Sequence, residues 1–158
     1  MLSRINYHIC FNALFPLARV AVLVVLMALP FEGFSQQAEI QSLIENATEA
    51  RIEGDYSGAL AYLERAQLLT EESGDSTKLS EVLLRQSFVH IIQSENGKAL
   101  TALFRAQKIN EKLIDEAGLA EVFTYIGALY HGQGDHETAD RYYSQSLDLY
   151  SRLNMPRE

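Results

Sequence analysis

An all-α solenoid of three antiparallel helix pairs is the fold class this sequence predicts, and three observations carry the prediction. Ala59, Ala99 and Ala139 recur at intervals of forty residues. Around each of them apolar residues are spaced three and four apart, as one face of a helix requires. Short turn sequences punctuate the pattern at Gly54-Asp55, Asn96-Gly97 and Gly134-Asp135. A repeat of this length is one helix pair that cannot bury its apolar face alone, so stacked neighbours must build the core.

The 158 residues suffice for one ordinary domain. A formal charge of -8 and a pI near 5.0 argue against a nucleic-acid partner, whose phosphates need a basic face. The only cysteine, Cys10, lies in the N-terminal segment, so the remainder carries neither a disulfide nor a thiolate nucleophile.

Arg4 and Arg19 precede an apolar run, Val20 to Phe31. Twelve residues are too few to cross a bilayer as a helix, which takes roughly 20, and match the apolar stretch of an export signal. Pro30 and Gly33 break the run, and Gly33-Phe34-Ser35 offers small residues for cleavage after Ser35. Residues 1–35 are therefore expected to be a signal peptide, and the protein to be exported, to the periplasm if the host is bacterial. A retained anchor built from residues 5–31 is the alternative, and membrane contact is expected only in that case. Cleavage would leave 11 basic and 20 acidic residues, a net charge of -9.

In the first unit Ile40, Leu43, Ile44 and Ala47 are helically spaced. Gly54 suits the left-handed turn that follows, and Asp55 can cap the next helix. Tyr56, Ala59, Leu60, Leu63 and Ala66 form the second stripe, where the alanines let two backbones approach. Glu71 to Thr77 reads as a polar connector. The helix from Leu79 to Gln93 is apolar nearly all round, which predicts cover on more than one side. Asn96-Gly97 makes the next turn, and Ala99, Leu103 and Ala106 repeat the earlier stripe. A further connector runs from Asn110 to Asp115, then a helix from Leu119 to His131. After the turn at Gly132 to Asp135, Ala139, Tyr143 and Ser146 close the third copy. The repeats are placed at about 38–75, 76–115 and 116–152 within 36–152, with 153–158 as a tail or the start of a further helix.

This pattern resembles the tetratricopeptide repeat family. In the third unit Phe123, Ile126-Gly127 and Tyr130 stand where that family's first helix carries an aromatic, leucine-glycine and tyrosine. Ala139, Tyr143 and Ser146 occupy its alanine, aromatic and alanine positions, and Gly134-Asp135-His136 its turn. The resemblance covers about residues 38–152 and implies a right-handed superhelix. The period is forty instead of the usual 34 or so, and the proline ending the second helix is missing; longer outer helices and connectors would explain both. This long variant is similar to the sensory arrays of bacterial regulators and membrane histidine kinases, and to those of kinesin light chains.

The resemblance also implies a concave face lined by the first helix of each pair. Matching positions are Ile44, Thr48 and Arg51, then Leu84, Phe88 and Ile91, then Thr124, Ala128 and His131. The family's carboxylate-clamp members hold lysine and asparagine there. Ile44, Leu84 and Thr124 replace the lysine here, and Thr48, Phe88 and Ala128 the asparagine, so no clamp is expected. The expected groove has an apolar floor at Leu84, Phe88 and Ile91, flanked by Arg51 and His131. Packing between repeats falls to Ala59, Leu63, Ala66, Ala99, Leu103, Ala106, Gly127, Tyr130, Ala139 and Tyr143. Tyr150 joins the packing stripe, while Tyr142 is expected on the contact surface.

His90, His131 and His136 lack the convergent spacing of metal ligands, and Glu71, Glu72 and Asp75 lack the alternating oxygens of a calcium loop. His90 is expected to pack between helices. No phosphate loop or catalytic constellation appears, so neither enzymatic activity nor a cofactor is expected. The sequence predicts a non-catalytic exported scaffold for protein–protein interaction, with a protein or peptide partner. The rival is the sensory region of a histidine kinase or transcriptional regulator. Arg141, Ser144, Gln145 and Asp148 are expected outward on the last helix, and self-association remains open.

Overall fold

The computed structural model describes residues 35–153. The leader expected at 1–35, save Ser35, and the tail from residue 154 lie outside them. The chain divides into two units, Met1–Ala38 and Glu39–Glu158, and the interactions below lie within the second. Six helices follow one another without a strand among the described residues: α1 (35–53), α2 (Tyr56–Ser73), α3 (Ser76–Ile92), α4 (Asn96–Leu113), α5 (Glu116–Gly132) and α6 (His136–Leu153). Consecutive pairs make an all-α solenoid.

One local device recurs every twenty residues. Gly54, Gly74, Ser94, Ile114 and Gly134 each take a positive φ and stop a helix. The acid after each of them, at 55, 75, 95, 115 and 135, sends its N–H back to the carbonyl five residues earlier, at 2.8–3.1 Å. That bond closes a Schellman motif, satisfying a carbonyl the helix end would orphan. Asp55, Asp75, Asp115 and Asp135 then accept from the N–H three residues on, capping the next helix. Glu95 makes no such cap; its carboxylate takes Lys98 Nζ at 2.8 Å and pairs with His90 Nδ1 at 2.7 Å. His90 is thus tied to the turn as well as packed.

These turns correct three expected boundaries. Asn96 and Gly97 open α4, the turn lying at Gln93 to Glu95 with Ser94 at φ 60°. The connectors expected at Glu71 to Thr77 and Asn110 to Asp115 shrink to Gly74-Asp75 and Ile114-Asp115. Apart from Asn110, which is buried, the polar residues that read as linker are the solvated ends of helices. Helices of 17 and 18 residues supply the forty-residue period, with no contribution from long connectors.

Ile114 bears the strain of this geometry, standing at φ 56° and 83% exposed. A β-branched residue is strained there by roughly 1–2 kcal/mol. Ile114→Gly is expected to stabilise the fold by about 1 kcal/mol, strain relief less glycine's backbone entropy, as a denaturant titration would read.

Ala59, Ala99 and Ala139 are all fully buried, so the forty-residue marker holds the same place in each pair. The core has two parts, with α3 between them. Val82 and Val89 join Ile40, Ile44, Ala59 and Leu63 on one side, while Leu83 and Leu84 join Ala99, Leu103, Val122 and Ile126 on the other. That is why α3 is apolar nearly all round. Against α5, Gly127 leaves room for the ring of Tyr143, which a Cβ there would meet at 2.8 Å. Ser146 Oγ donates to the carbonyl of Ala120 at 2.7 Å, tying α6 to α5.

Tyr142 departs from its expected role. Its ring stacks on Tyr130, 5.9 Å between centroids at 3°, and lies 5.9 Å from Phe123. It packs against the second core, whereas Tyr143 and Tyr150 are 36% and 41% exposed. Three residues from Ala139 and four from Ser146, Tyr142 shares their buried face.

Candidate functional site: a cavity lined by the first helix of each pair

α1, α3 and α5 border a cavity of about 680 Å³, to which α2 adds Leu63 and α6 adds Tyr150. Four residues expected at a groove line it: Thr48, Arg51, Leu84 and Phe88. Four do not. Ile44 is 2% exposed and belongs to the first core, because α2 and α3 close over it. Ile91 packs against the second core. Thr124 is taken up by the α5–α6 seam, bonding the Ala120 carbonyl at 2.9 Å and Ser146 Oγ at 2.8 Å. His131 sits 4.9 Å from His136 across the turn, edge to face.

The floor is aromatic. Phe88 is half-buried yet belongs to neither core. Its ring meets that of Tyr125 edge-on at 5.9 Å, and the Arg51 guanidinium lies 5.2 Å from its centroid. These contacts hold the ring by quadrupole and cation–π attraction. Burial first, and then the Glu121 charge, push the Tyr125 phenol above its ordinary pKa, so it stays a neutral hydrogen-bonding group.

The charges in the cavity are unequally satisfied. Arg85 grips Glu81 Oε1 with Nη2 at 2.8 Å and Nε at 3.2 Å, and donates to Thr48 Oγ1 at 3.2 Å. Lys78 takes the other oxygen of Glu81 at 2.9 Å and reaches Gln41 on α1 at 3.0 Å. Burial favours the neutral acid at Glu81, but the bonds from Lys78 and Arg85 outweigh it and hold the carboxyl below its usual range. Arg51 has no carboxylate partner among the described residues. Ser80, 4% exposed, also borders the cavity, and its hydroxyl has no partner among them.

Glu81 is one of four carboxylates with lowered pKa. Arg105 lowers Glu71, Lys98 and then His90 lower Glu95, and the Thr138 N–H lowers Asp135. Each is more acidic folded than unfolded, so its contribution is complete above the unfolded value and is lost as pH falls through the folded one. The thermal midpoint should hold steady from neutral down to about pH 5 and drop below about pH 4, as melts across that range would show.

Sequence reasoning missed Ser80, Glu81, Arg85 and Tyr125. Arg85 and Tyr125 stand forty residues apart, so the repeat that located Leu84 could have found both, one residue further on. Among the described residues no group of histidine, cysteine or carboxylate side chains is placed to hold a metal.

The described residues thus form a tetratricopeptide-like solenoid. Among solved structures the chain is similar to the tetratricopeptide repeat domain of Arabidopsis FLU, with a TM-score of 0.68. The match spans 74% of this chain and 98% of that one at 16% identity, a likeness of fold. No protein-family model and no curated protein matches the chain.

Proposed function

We propose that this chain is a non-catalytic, exported scaffold that captures a polypeptide in the cavity between α1, α3 and α5. The observation that carries the reading is Phe88. It is a large ring left out of both cores, held in orientation by Tyr125 and Arg51, and presented to an open cavity. An apolar or aromatic side chain suits the ring pair, and a carboxylate beside it suits Arg51. An extended segment or one face of a helix meets these demands.

Export rests on the apolar run and small residues of the leader. Cell fractionation with N-terminal sequencing tests it: a periplasmic product beginning at Gln36 is expected, and a cytoplasmic full-length product contradicts it. Binding is tested by affinity capture from that fraction with the wild type beside Phe88→Asp. A polypeptide retained by the first and lost by the second supports the groove. Equal retention by both removes it.

A further inference from the structure

Two charges of opposite sign line the cavity without an ion-pair partner among the described residues, Arg51 on α1 and Glu121 on α5. The repeat shows why Glu121 is left over. It is the forty-residue counterpart of Glu81, and the two cations that hold Glu81, Lys78 and Arg85, are replaced in the next unit by Gly118 and Tyr125. The other acid lining α5, Asp115, is committed to the N–H of Gly118 as a helix cap.

Arg51 and Glu121 make no ion pair with each other; contacts run from one to the other through two rings. The Arg51 guanidinium lies 5.2 Å from the Phe88 centroid, and Phe88 meets Tyr125 at 5.9 Å. Glu121 stands one helical turn before Tyr125. Its charge, after burial, is what raises the pKa of that phenol, which places the carboxylate beside it. Cation, ring, phenol and carboxylate therefore form one series across α1, α3 and α5.

We propose, resting on the reading that this cavity holds a polypeptide, that the ligand is an extended segment carrying both signs of charge. An acidic residue meets Arg51, a basic residue meets Glu121, and an apolar one between them sits on Phe88 and Tyr125. Alternate residues of an extended chain share one face, so the three side chains stand at i, i+2 and i+4. The outer two are then roughly 13 Å apart, at about 3.3 Å per residue, a span suited to two rings. A free amino acid carries both charges on one carbon and cannot reach across. An uncharged segment would strand both protein charges away from water, and a segment with two like charges would repel one of them.

Calorimetric titration of the full chain with terminally blocked nonapeptides tests this. Each peptide has leucine at its centre and serine elsewhere, except at the two positions flanking the centre by two. Those carry an acid and a base in either order, two acids, or two bases. The better mixed peptide is expected to bind roughly tenfold tighter than either like-charged one. Glu121→Lys should turn the preference to the doubly acidic peptide and Arg51→Glu to the doubly basic one, with the helical signal unchanged. Equal affinity for mixed and like-charged peptides overturns the proposal, and so does a preference for the mixed peptide that survives both reversals. Absence of binding by every peptide overturns it as well, while Phe88-dependent capture of a polypeptide by the wild type would leave the groove itself standing.

Discussion

Leu103→Ala is expected to destabilise the fold by about 3 kcal/mol, whereas Phe104→Ala, one residue along, should cost under about 1 kcal/mol. Composition alone ranks them the other way, since the phenylalanine is the larger apolar group. Position in the repeat decides it. Leu103 has no exposed surface and fills the space between Ala99 and Ala106 and the α5 residues Val122 and Ile126. Removing it leaves a cavity that small neighbours cannot collapse into. Phe104 lies 39% exposed on α4 and belongs to neither core. Chemical denaturation of both variants reads the difference. Equal losses, or the reverse order, would mean that α4 is rotated from the face described.

Phe88→Asp is expected to weaken partner capture by on the order of 100-fold or more, the scale of a central aromatic anchor. It removes the ring that Tyr125 and Arg51 hold in place. It also sets a carboxylate beside Arg51, occupying the cation meant for the ligand. Because Phe88 lies outside both cores, the helical circular-dichroism signal should persist. Melting of the variant would make Phe88 a core residue and end its role as an anchor.

The helical register is legible in the residues alone, because helix stacking forces the same small residue into the same crowded place in each pair. Ala59, Ala99 and Ala139 are all fully buried for that reason. Turn chemistry is harder to read. Asn96-Gly97 is a familiar turn signal, yet Ser94 takes the left-handed conformation and the asparagine starts a helix. Ile114 is the clearer failure, since no propensity places a β-branched residue at φ 56°. The Schellman bond and the Asp115 cap around it impose that conformation.

The candidate site is half legible in the same way. The repeat places Leu84 and Phe88 correctly on the first helix of their pair, but a register position does not settle exposure. Ile44 and Leu84 are forty residues apart, and only Leu84 borders the cavity. Spacing does place Glu81 within reach of Lys78 and Arg85, three and four residues away on one helix, but it could not show that Arg85 also reaches Thr48. That bond joins α3 to α1 across 37 positions of sequence.

Photo-cross-linking in living cells tests the binding face most directly, with a photoreactive phenylalanine analogue at position 88 or at position 104 of the full chain. Both positions hold a phenylalanine, so the probe changes little, and only 88 borders the cavity. A discrete polypeptide adduct from 88 and none from 104 is the expected result. Adducts from 104 alone, or the same adducts from both, would contradict a ligand held between α1, α3 and α5.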